Sequence, residues 1–158
     1  MKHLPKHLRP RWRYLAVEIE SWPDASLDEG QFQRQLWYSA QNLLGDTGSA
    51  DLDLSVIRFA HEEGAGEAIV RTRRETVQRA RGVIAAVETV DDDAVGLRVA
   101  GVSGTIRACE EKYMGHRPEA QAQRYVAFDG EQRTASARNG RLDVETGTGY
   151  VGATTLDI

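Results

Sequence analysis

The sequence is poor in the residues that build metal and disulfide frameworks. Its only cysteine is Cys109, which excludes an internal disulfide and a zinc cluster held by thiolates. No apolar run approaches the roughly 18 residues of a membrane-spanning helix, and no signal-peptide core follows the basic N-terminus. These absences predict a soluble, cytoplasmic protein with no membrane partner.

Recognisable catalytic patterns are also missing. There is no G-x-x-x-x-G-K-[ST] motif, and the glycine turn at 101–105 does not match G-x-G-x-x-G. Ser103 has no nearby His or Asp in a triad pattern, and Cys109 adjoins Glu110, whose charge raises a thiol pKa rather than activating the sulfur. The histidines lack metal-ligand spacing; they are His3, His7, His61 and His116. We therefore expect no catalytic residue, no bound metal and no cofactor in this chain.

Basic residues are fewer than acidic ones, which gives the chain a net charge of −4, but they are concentrated in two parts of the sequence. Residues 1–13 contain no acid and carry Lys2, Lys6, Arg9, Arg11 and Arg13. A second basic cluster consists of Arg71, Arg73, Arg74, Arg79 and Arg81. Basic patches on an acidic chain are typical of a nucleic-acid-binding protein whose remaining surface is adapted to high salt.

The hydrophobic periodicity predicts the order strand, helix, strand, strand, helix, strand, helix. The strands are expected at 13–20, 51–60, 66–72 and 94–101, and the helices at 28–44, after a Thr72-x-x-Glu75 capping box, and at 103–114. This order predicts an α+β, ferredoxin-like (RRM-like) sandwich, βαββαβ plus a C-terminal helix. Its four-stranded antiparallel sheet has the helices on one face.

Composition divides the chain into three parts. Residues 1–11 are a basic N-terminal arm without periodicity, and residues 12–115 are the ferredoxin-like domain. Residues 116–158 are a polar C-terminal extension, either short strands or disordered, with a hairpin signal at Asn139-Gly140.

Three features could hold an RNA phosphate, and each has a structural alternative. In "GVSGT" (101–105), Ser103 is placed to cap the last helix beside exposed amides, but the segment could equally be a plain strand-to-helix turn. Arg73 and Arg74 oppose the helix dipole if they open the second helix, or belong to a solvated face. The arm could order on RNA or stay mobile. Tyr14 is the one aromatic residue on the sheet face away from the helices, so we expect no base stacking there.

Four segments together resemble one family. They are "LRPRWRYLAVEI" (8–19), "LWYSAQNLLGDTGSA" (36–50), "IVRTRRETVQRAR" (69–81) and "GVSGTIRACEEKY" (101–113). They resemble protein component 2 of archaeal ribonuclease P, which is shared with eukaryotic ribonucleases P and MRP. The similarity covers about residues 4–114, and the "GVSGTI" turn is its most specific part.

The resemblance implies a ferredoxin-like subunit without a nuclease site of its own. In this family the ribonuclease P RNA removes the 5′ leader of precursor tRNA with Mg²⁺. The protein pairs with component 3, joins other protein subunits and can self-associate. The RNA-contacting residues it implies are Arg9, Arg11, Arg13, Arg73, Arg74, Ser103, Arg107 and Lys112. The last helix departs from the family, because Glu110 and Glu111 interrupt its basic character.

Two other classes of protein use a ferredoxin-like sheet. A small-molecule-sensing regulatory domain would bind a metabolite at a dimer interface and show no affinity for RNA. A hydrolase of the acylphosphatase type would need an Arg in the loop after the first strand, and "SWPDASLDEG" (21–30) has none.

Overall fold

Alternating apolar residues build a five-stranded antiparallel sheet in the first two thirds of the chain. The computed structural model describes residues 5–8, 11–115, 122–128, 130–138 and 141–154. The elements up to residue 115 are β1 (Trp12–Ser21), α1 (Glu29–Leu52), β2 (Ser55–Glu62), β3 (Ala65–Arg73), α2 (Val77–Ala85), β4 (Thr89–Val90), β5 (Asp93–Ser103) and α3 (Ile106–Tyr113). The strand order is β2-β3-β1-β5-β4, and all neighbouring strands in this order are antiparallel.

The prediction of a four-stranded sheet is wrong, because this sheet has a fifth strand, β4, at one edge. Thr89 and Val90 pair with Ala94 and Asp93, so that β4 and β5 form a hairpin. Asp91 and Asp92 close this hairpin, and both take left-handed backbone angles, φ 47° and 69°. A two-residue strand is too short to show an alternating pattern, which is why the sequence did not reveal it.

The main core lies between one face of the sheet and helices α1 and α2. The inward residues of β1 are Leu15, Val17 and Ile19, each no more than 2% exposed. They pack against buried residues of both helices, namely Phe32, Leu36, Ala40, Ala80, Val83 and Ile84. The apolar stripes predicted for these elements therefore form the core as expected.

Helix α3 lies on the opposite face of the sheet, so the prediction that the helices share one face fails for α3. Cys109, Ile106 and Tyr113 of α3 pack with Tyr14 and Ala16 of β1 in a separate apolar cluster. These two β1 residues were predicted to lie on the sheet face without helices. Both have enough apolar surface to favour burial, and α3 buries it.

Helix α1 is longer than predicted and is broken where the prediction ended it. Gly45 has φ 73° and ψ 177° inside the helix, and a second helical segment runs on to Leu52. The helix begins with a capping box, in which Asp28 accepts from the backbone of Gln31 at 2.8 Å. Gly45 therefore marks a kink between two segments rather than the end of α1.

The capping box predicted for α2 is also wrong. Thr72 is a buried residue of β3, and its Oγ1 donates to the Leu52 carbonyl at 2.9 Å. A 3₁₀ turn over Arg74–Thr76 follows, and α2 begins only at Val77 without a side-chain cap. Arg73 and Arg74 accordingly precede α2 instead of occupying its first turn.

The extension forms a second, four-stranded antiparallel sheet. Its strands are β6 (Ala122–Phe128), β7 (Glu131–Arg138), β8 (Arg141–Thr146) and β9 (Gly149–Thr154), paired in sequence order. The β7–β8 connection falls at 139–140, where the hairpin was predicted, although these two residues lie outside the described part. The Tyr150 ring stacks on Trp22 with the centroids 6.2 Å apart, which links the two sheets.

In the predicted arm, Lys6–Leu8 form one 3₁₀ turn, and Arg9 lies outside the described residues. The division into arm, domain and extension stays a prediction. No helix in the described part of the chain is long and apolar enough to cross a membrane.

Candidate nucleic-acid interface

The start of β1 and the end of β3 bring the two basic clusters together. Trp12 lies opposite Arg73, and Tyr14 lies opposite Arg71. One residue further, the Arg74 amide donates to the Arg11 carbonyl at 2.9 Å and extends the ladder. Antiparallel pairing therefore gathers five arginines at one end of the sheet. We call this set the arginine end; its members are Arg11, Arg13, Arg71, Arg73 and Arg74.

The β5–α3 turn lies at the same end of the sheet. Ser103, the last residue of β5, pairs with Tyr14 of β1. A Cβ placed on Gly104 would lie 3.9 Å from Nη1 of Arg13. The structure thus places the turn and the arginine end at the same end of the sheet, with Arg13 beside Gly104.

Within the turn, the capping residue is not the predicted one. Thr105 is the N-cap of α3, and its hydroxyl accepts from the Ala108 amide at 3.1 Å. Ser103 is only 7% exposed, and its Oγ has no hydrogen-bond partner among the described residues. Ser103 is therefore a buried residue at the end of β5, and the prediction that it caps α3 is wrong.

Gly101 lies within β5 rather than in the turn. The β1–β5 register shifts between Ala16 and Val17, which places Gly101 opposite Ala16 on the α3 side. A Cβ on Gly101 would overlap the aromatic ring of Tyr113. The glycine is needed because the aromatic ring of α3 occupies the space of a side chain, not because a phosphate approaches the backbone.

Helix α3 contributes little free positive charge. Arg107 is paired with Glu111 at 2.9 Å across one helical turn, and Glu110 is paired with Arg58 of β2 at 3.2 Å. Lys112 is exposed near the C-terminal end of α3, about 7.5 Å along the helix from Arg107 at 1.5 Å per residue. Arg107 therefore lies at the start of α3, next to the turn but paired with Glu111, whereas Lys112 lies at the other end of the helix.

Sequence reasoning missed two members of this surface. Arg71 was counted in the basic cluster but not among the RNA contacts, and Trp12 was given no part in RNA contact. The Arg71 Cζ lies 4.1 Å from the Trp12 ring centroid, and the Arg73 Cζ lies 5.3 Å from it. The sequence contained the information needed to find them. Residues i and i+2 of a strand lie on one face of the sheet, and so do the residues directly opposite them on the antiparallel neighbour.

The described residues offer little chemistry for catalysis. Burial, and secondarily the charge of Glu110, raises the pKa of Cys109 to about 11, so the thiol stays protonated near neutral pH. No group of three or more His, Cys, Asp or Glu that could hold a metal occurs in the described part. Ser21 Oγ and His61 Nε2 are 2.8 Å apart, but Ser21 ends β1, about 30 Å from the arginine end.

A G-x-G-x-x-G spacing does occur at Gly147, Gly149 and Gly152, and the sequence reasoning overlooked it. These residues lie in the β8–β9 hairpin, whereas the dinucleotide motif needs a strand-to-helix turn. The spacing therefore does not indicate a nucleotide site.

Helix α1 presents a second surface feature. Trp37 and Tyr38 are 46% and 55% exposed on the outer side of α1. They line a cleft of about 560 Å³ that also includes Asp46 and Asp53 from the region after the Gly45 kink. Exposed aromatic residues beside a cleft are typical of protein interfaces.

The fold and this surface define a small α/β protein with an arginine-rich sheet end on an otherwise acidic chain. Residues 13–114 match the family model described as Rpp14/Pop5, and the chain belongs to this family.

Three relatives show how far the similarity extends. "Ribonuclease P protein component 2" of Halorubrum lacusprofundi is 60% identical over 157 residues, 99% of each chain. The protein of the same name in Natronomonas pharaonis is 59% identical over 158 residues, 100% of this chain and 98% of its own. That of Pyrococcus horikoshii is 35% identical over 114 residues, 72% of this chain and 92% of its own.

The family resemblance predicted from the sequence is thus confirmed, as are relatives in halophilic archaea. One chain in a cryo-EM structure of yeast ribonuclease MRP aligns with 63% of this chain and 79% of its own length. Its TM-score of 0.47 and identity of 15% are too low to add to the family assignment. The matches give no support to a small-molecule-sensing domain.

Proposed function

We propose that this chain is a protein subunit of ribonuclease P and that the arginine end contacts the ribonuclease P RNA. The observation that carries the proposal is the convergence of five arginines at the start of β1 and the end of β3. The chain has a net charge of −4, and its relatives are named ribonuclease P protein component 2.

In this proposal the RNA removes the 5′ leader of precursor tRNA with Mg²⁺, and the protein supplies charge rather than chemistry. A folded RNA active site crowds phosphates, and guanidinium groups relieve that repulsion in place of metal ions. Because Cys109 is protonated near neutral pH and buried, the proposal gives it no catalytic part.

The contact surface extends from the arginine end along the arm, including Arg9. Ser103 supports the turn from beneath, while Arg107 and Lys112 flank the surface on α3. Since Arg107 is already paired with Glu111, its contribution should be smaller than that of Arg11 or Arg13.

The assembly around the chain is also part of the proposal. We interpret the order β2-β3-β1-β5 as the ferredoxin-like plan with β4 added at the edge. Component 3, other ribonuclease P proteins and a second copy of this chain are the proposed protein partners, in the cytoplasm. The exposed Trp37 and Tyr38 on α1 support a protein interface on the far side from α3.

The proposal is tested by removing the positive charge of β1 and the arm. The triple substitution of Arg9, Arg11 and Arg13 by Ala should raise the Mg²⁺ concentration at half-maximal cleavage in the reconstituted holoenzyme. We expect a shift of about twofold or more, because Mg²⁺ must replace the lost guanidinium groups. The measurement is the rate of 5′-leader removal across an Mg²⁺ titration at constant ionic strength.

A matched triple variant controls for total charge. Arg58, Arg81 and Arg98 lie outside the arginine end, and Arg58 and Arg98 are already paired with carboxylates. Their replacement by Ala removes the same charge and should move the Mg²⁺ midpoint much less. An unchanged midpoint in the first variant, or equal shifts in both, would refute the role of this surface.

A further inference from the structure

Two guanidinium groups converge on one indole ring at the arginine end. Trp12 faces Arg73 directly in the β1–β3 ladder, and Arg71 lies two residues before Arg73 on the same face of β3. Both guanidinium carbons lie within the usual range of cation–π contact, at 4.1 and 5.3 Å from the ring centroid. The pairing register alone therefore places two like charges over a single aromatic ring.

The two arginines differ in their remaining partners. Arg73 approaches Asp53 at 3.5 Å, with side chains 37% and 45% exposed, which makes a weak surface pair. Arg71 forms no side-chain hydrogen bond or ion pair with the described residues, and its Nε is buried without a partner. Burying a guanidinium N–H costs free energy when no acceptor replaces the lost water, and a ligand that supplies an acceptor removes that cost.

The geometry suits an anion with several acceptor oxygens. Stacking on Trp12 restricts the planar fork of each arginine, so less side-chain entropy is lost when its N–H groups donate to a ligand. The N–H groups of a planar guanidinium match the spacing of phosphate oxygens. Two guanidinium groups from alternate positions of one strand can therefore donate hydrogen bonds to the same phosphate.

We propose that Trp12, Arg71 and Arg73 form a phosphate-binding site for the RNA backbone, with Trp12 as the residue that positions the two guanidinium groups. This inference rests on the proposed RNA contact and adds to it a specific site with an aromatic support. RNA is favoured over an acidic protein segment because Arg11, Arg13 and Arg74 add three further positive charges at the same end of the sheet, which suits a ligand with several phosphates.

A double-mutant cycle with the full-length chain tests the site. We compare wild type, Trp12→Leu, Arg71→Gln and the double variant for binding to the ribonuclease P RNA transcribed from the same genome, over a range of KCl concentrations. Arg71→Gln should lower the affinity and reduce the slope of log K against log[KCl] by about 0.7 to 1, the effect of one phosphate contact. Trp12→Leu should lower the affinity by about twofold to fivefold through loss of the cation–π contact.

The decisive measurement is the coupling between the two substitutions. If Trp12 acts by positioning Arg71 and Arg73, then Trp12→Leu should have a smaller effect once Arg71 is replaced, because only the part that acts through Arg73 is left. A merely structural tryptophan would weaken binding equally in both backgrounds, and full additivity overturns the proposal. Trp12→Phe keeps an aromatic face and should retain most of the affinity, whereas a loss equal to that of Trp12→Leu would argue against the cation–π contact. If Trp12→Leu fails to fold, the cycle is repeated with Trp12→Met.

The remaining outcomes separate this site from the function it depends on. Arg81→Gln removes one exposed arginine of α2 outside the arginine end and controls for total charge. If wild type binds RNA but Arg71→Gln resembles Arg81→Gln, the site is wrong and the proposed function stands. If wild type does not bind the RNA, the proposed function itself fails. Weakened binding to polyglutamate with unchanged RNA binding would assign the site to an acidic protein instead.

Discussion

Gly101 is the residue at which packing across the sheet depends most directly on a missing side chain. The Tyr113 ring of α3 occupies the position of its absent Cβ. Gly101→Ala should therefore lower the free energy of unfolding by about 1–3 kcal/mol, because the ring or the β5 backbone must move. Urea unfolding followed by circular dichroism measures the loss.

Gly96→Ala is the matched control for this substitution. Gly96 belongs to the same strand, and a Cβ there meets no atom within 4 Å. Its replacement should change stability by no more than about 0.5 kcal/mol. Combining Gly101→Ala with Tyr113→Ala should cost less than the sum of the single changes, since the clash is gone. Equal losses at positions 96 and 101 would contradict this explanation.

The same residue shows where sequence reasoning reaches its limit. A glycine two residues before a serine fits an anion-binding turn, and it fits equally a strand position that makes room for a ring. The choice depends on Tyr113, twelve residues later, whose position follows from α3 covering the second sheet face. The spacing of residues in the sequence does not reveal that α3 packs on this face of the sheet.

At the scale of elements, the start of α3 is defined by Thr105. Its hydroxyl accepts from the Ala108 amide, so Thr105→Ala should destabilise the protein by about 1 kcal/mol. Ser103→Ala should be nearly neutral or slightly stabilising, because the buried Oγ it removes has no partner among the described residues. The two midpoints of urea unfolding, measured under identical conditions, test the assignment.

If Ser103→Ala destabilises the protein more than Thr105→Ala does, Ser103 is the N-cap of α3 after all. The comparison is informative because both substitutions remove a hydroxyl two residues apart in the same turn. They differ in backbone context: Thr105 has the extended angles of an N-cap, φ −138° and ψ 156°, while Ser103 ends β5.

The elements that the sequence predicted well are those with a long and uninterrupted period. Strand β1, the β2–β3 hairpin and the first half of α1 occur close to their predicted positions. The α2 start was misplaced because Thr72 satisfies a local capping pattern, while burial and a bond to the Leu52 carbonyl hold it in β3. Tertiary packing decided between two conformations that were locally acceptable.

For the whole molecule, the arginine end was partly predictable. One basic cluster opens β1 and the other closes β3, so antiparallel pairing necessarily brings them together. The sequence did not predict that Arg107 and Glu111, or Arg58 and Glu110, would pair and reduce the charge of α3. Ion pairs across an element depend on side-chain placement, which residue type alone does not determine.

The two sheets have separate cores, which leads to a prediction about the extension. The clusters that hold the first sheet contain no residue beyond Met114, and the second sheet packs around its own set, Val126, Ala135, Leu142 and Val144. The P. horikoshii relative aligns with this chain over only 114 residues. A chain ending at Gly115 should therefore fold cooperatively and keep its affinity for the RNA.

The expected cost of that truncation is the stack between Trp22 and Tyr150, about 0.5–1.5 kcal/mol. Tyr150→Ala in the full-length chain removes the same stack and keeps the extension, so its unfolding midpoint should shift by a similar amount. Both are measured at molar KCl by circular dichroism, with RNA affinity determined in parallel. A truncated chain without a cooperative transition would mean that the second sheet is required for the first to fold. A folded truncated chain that no longer binds RNA would instead move part of the RNA surface onto the extension.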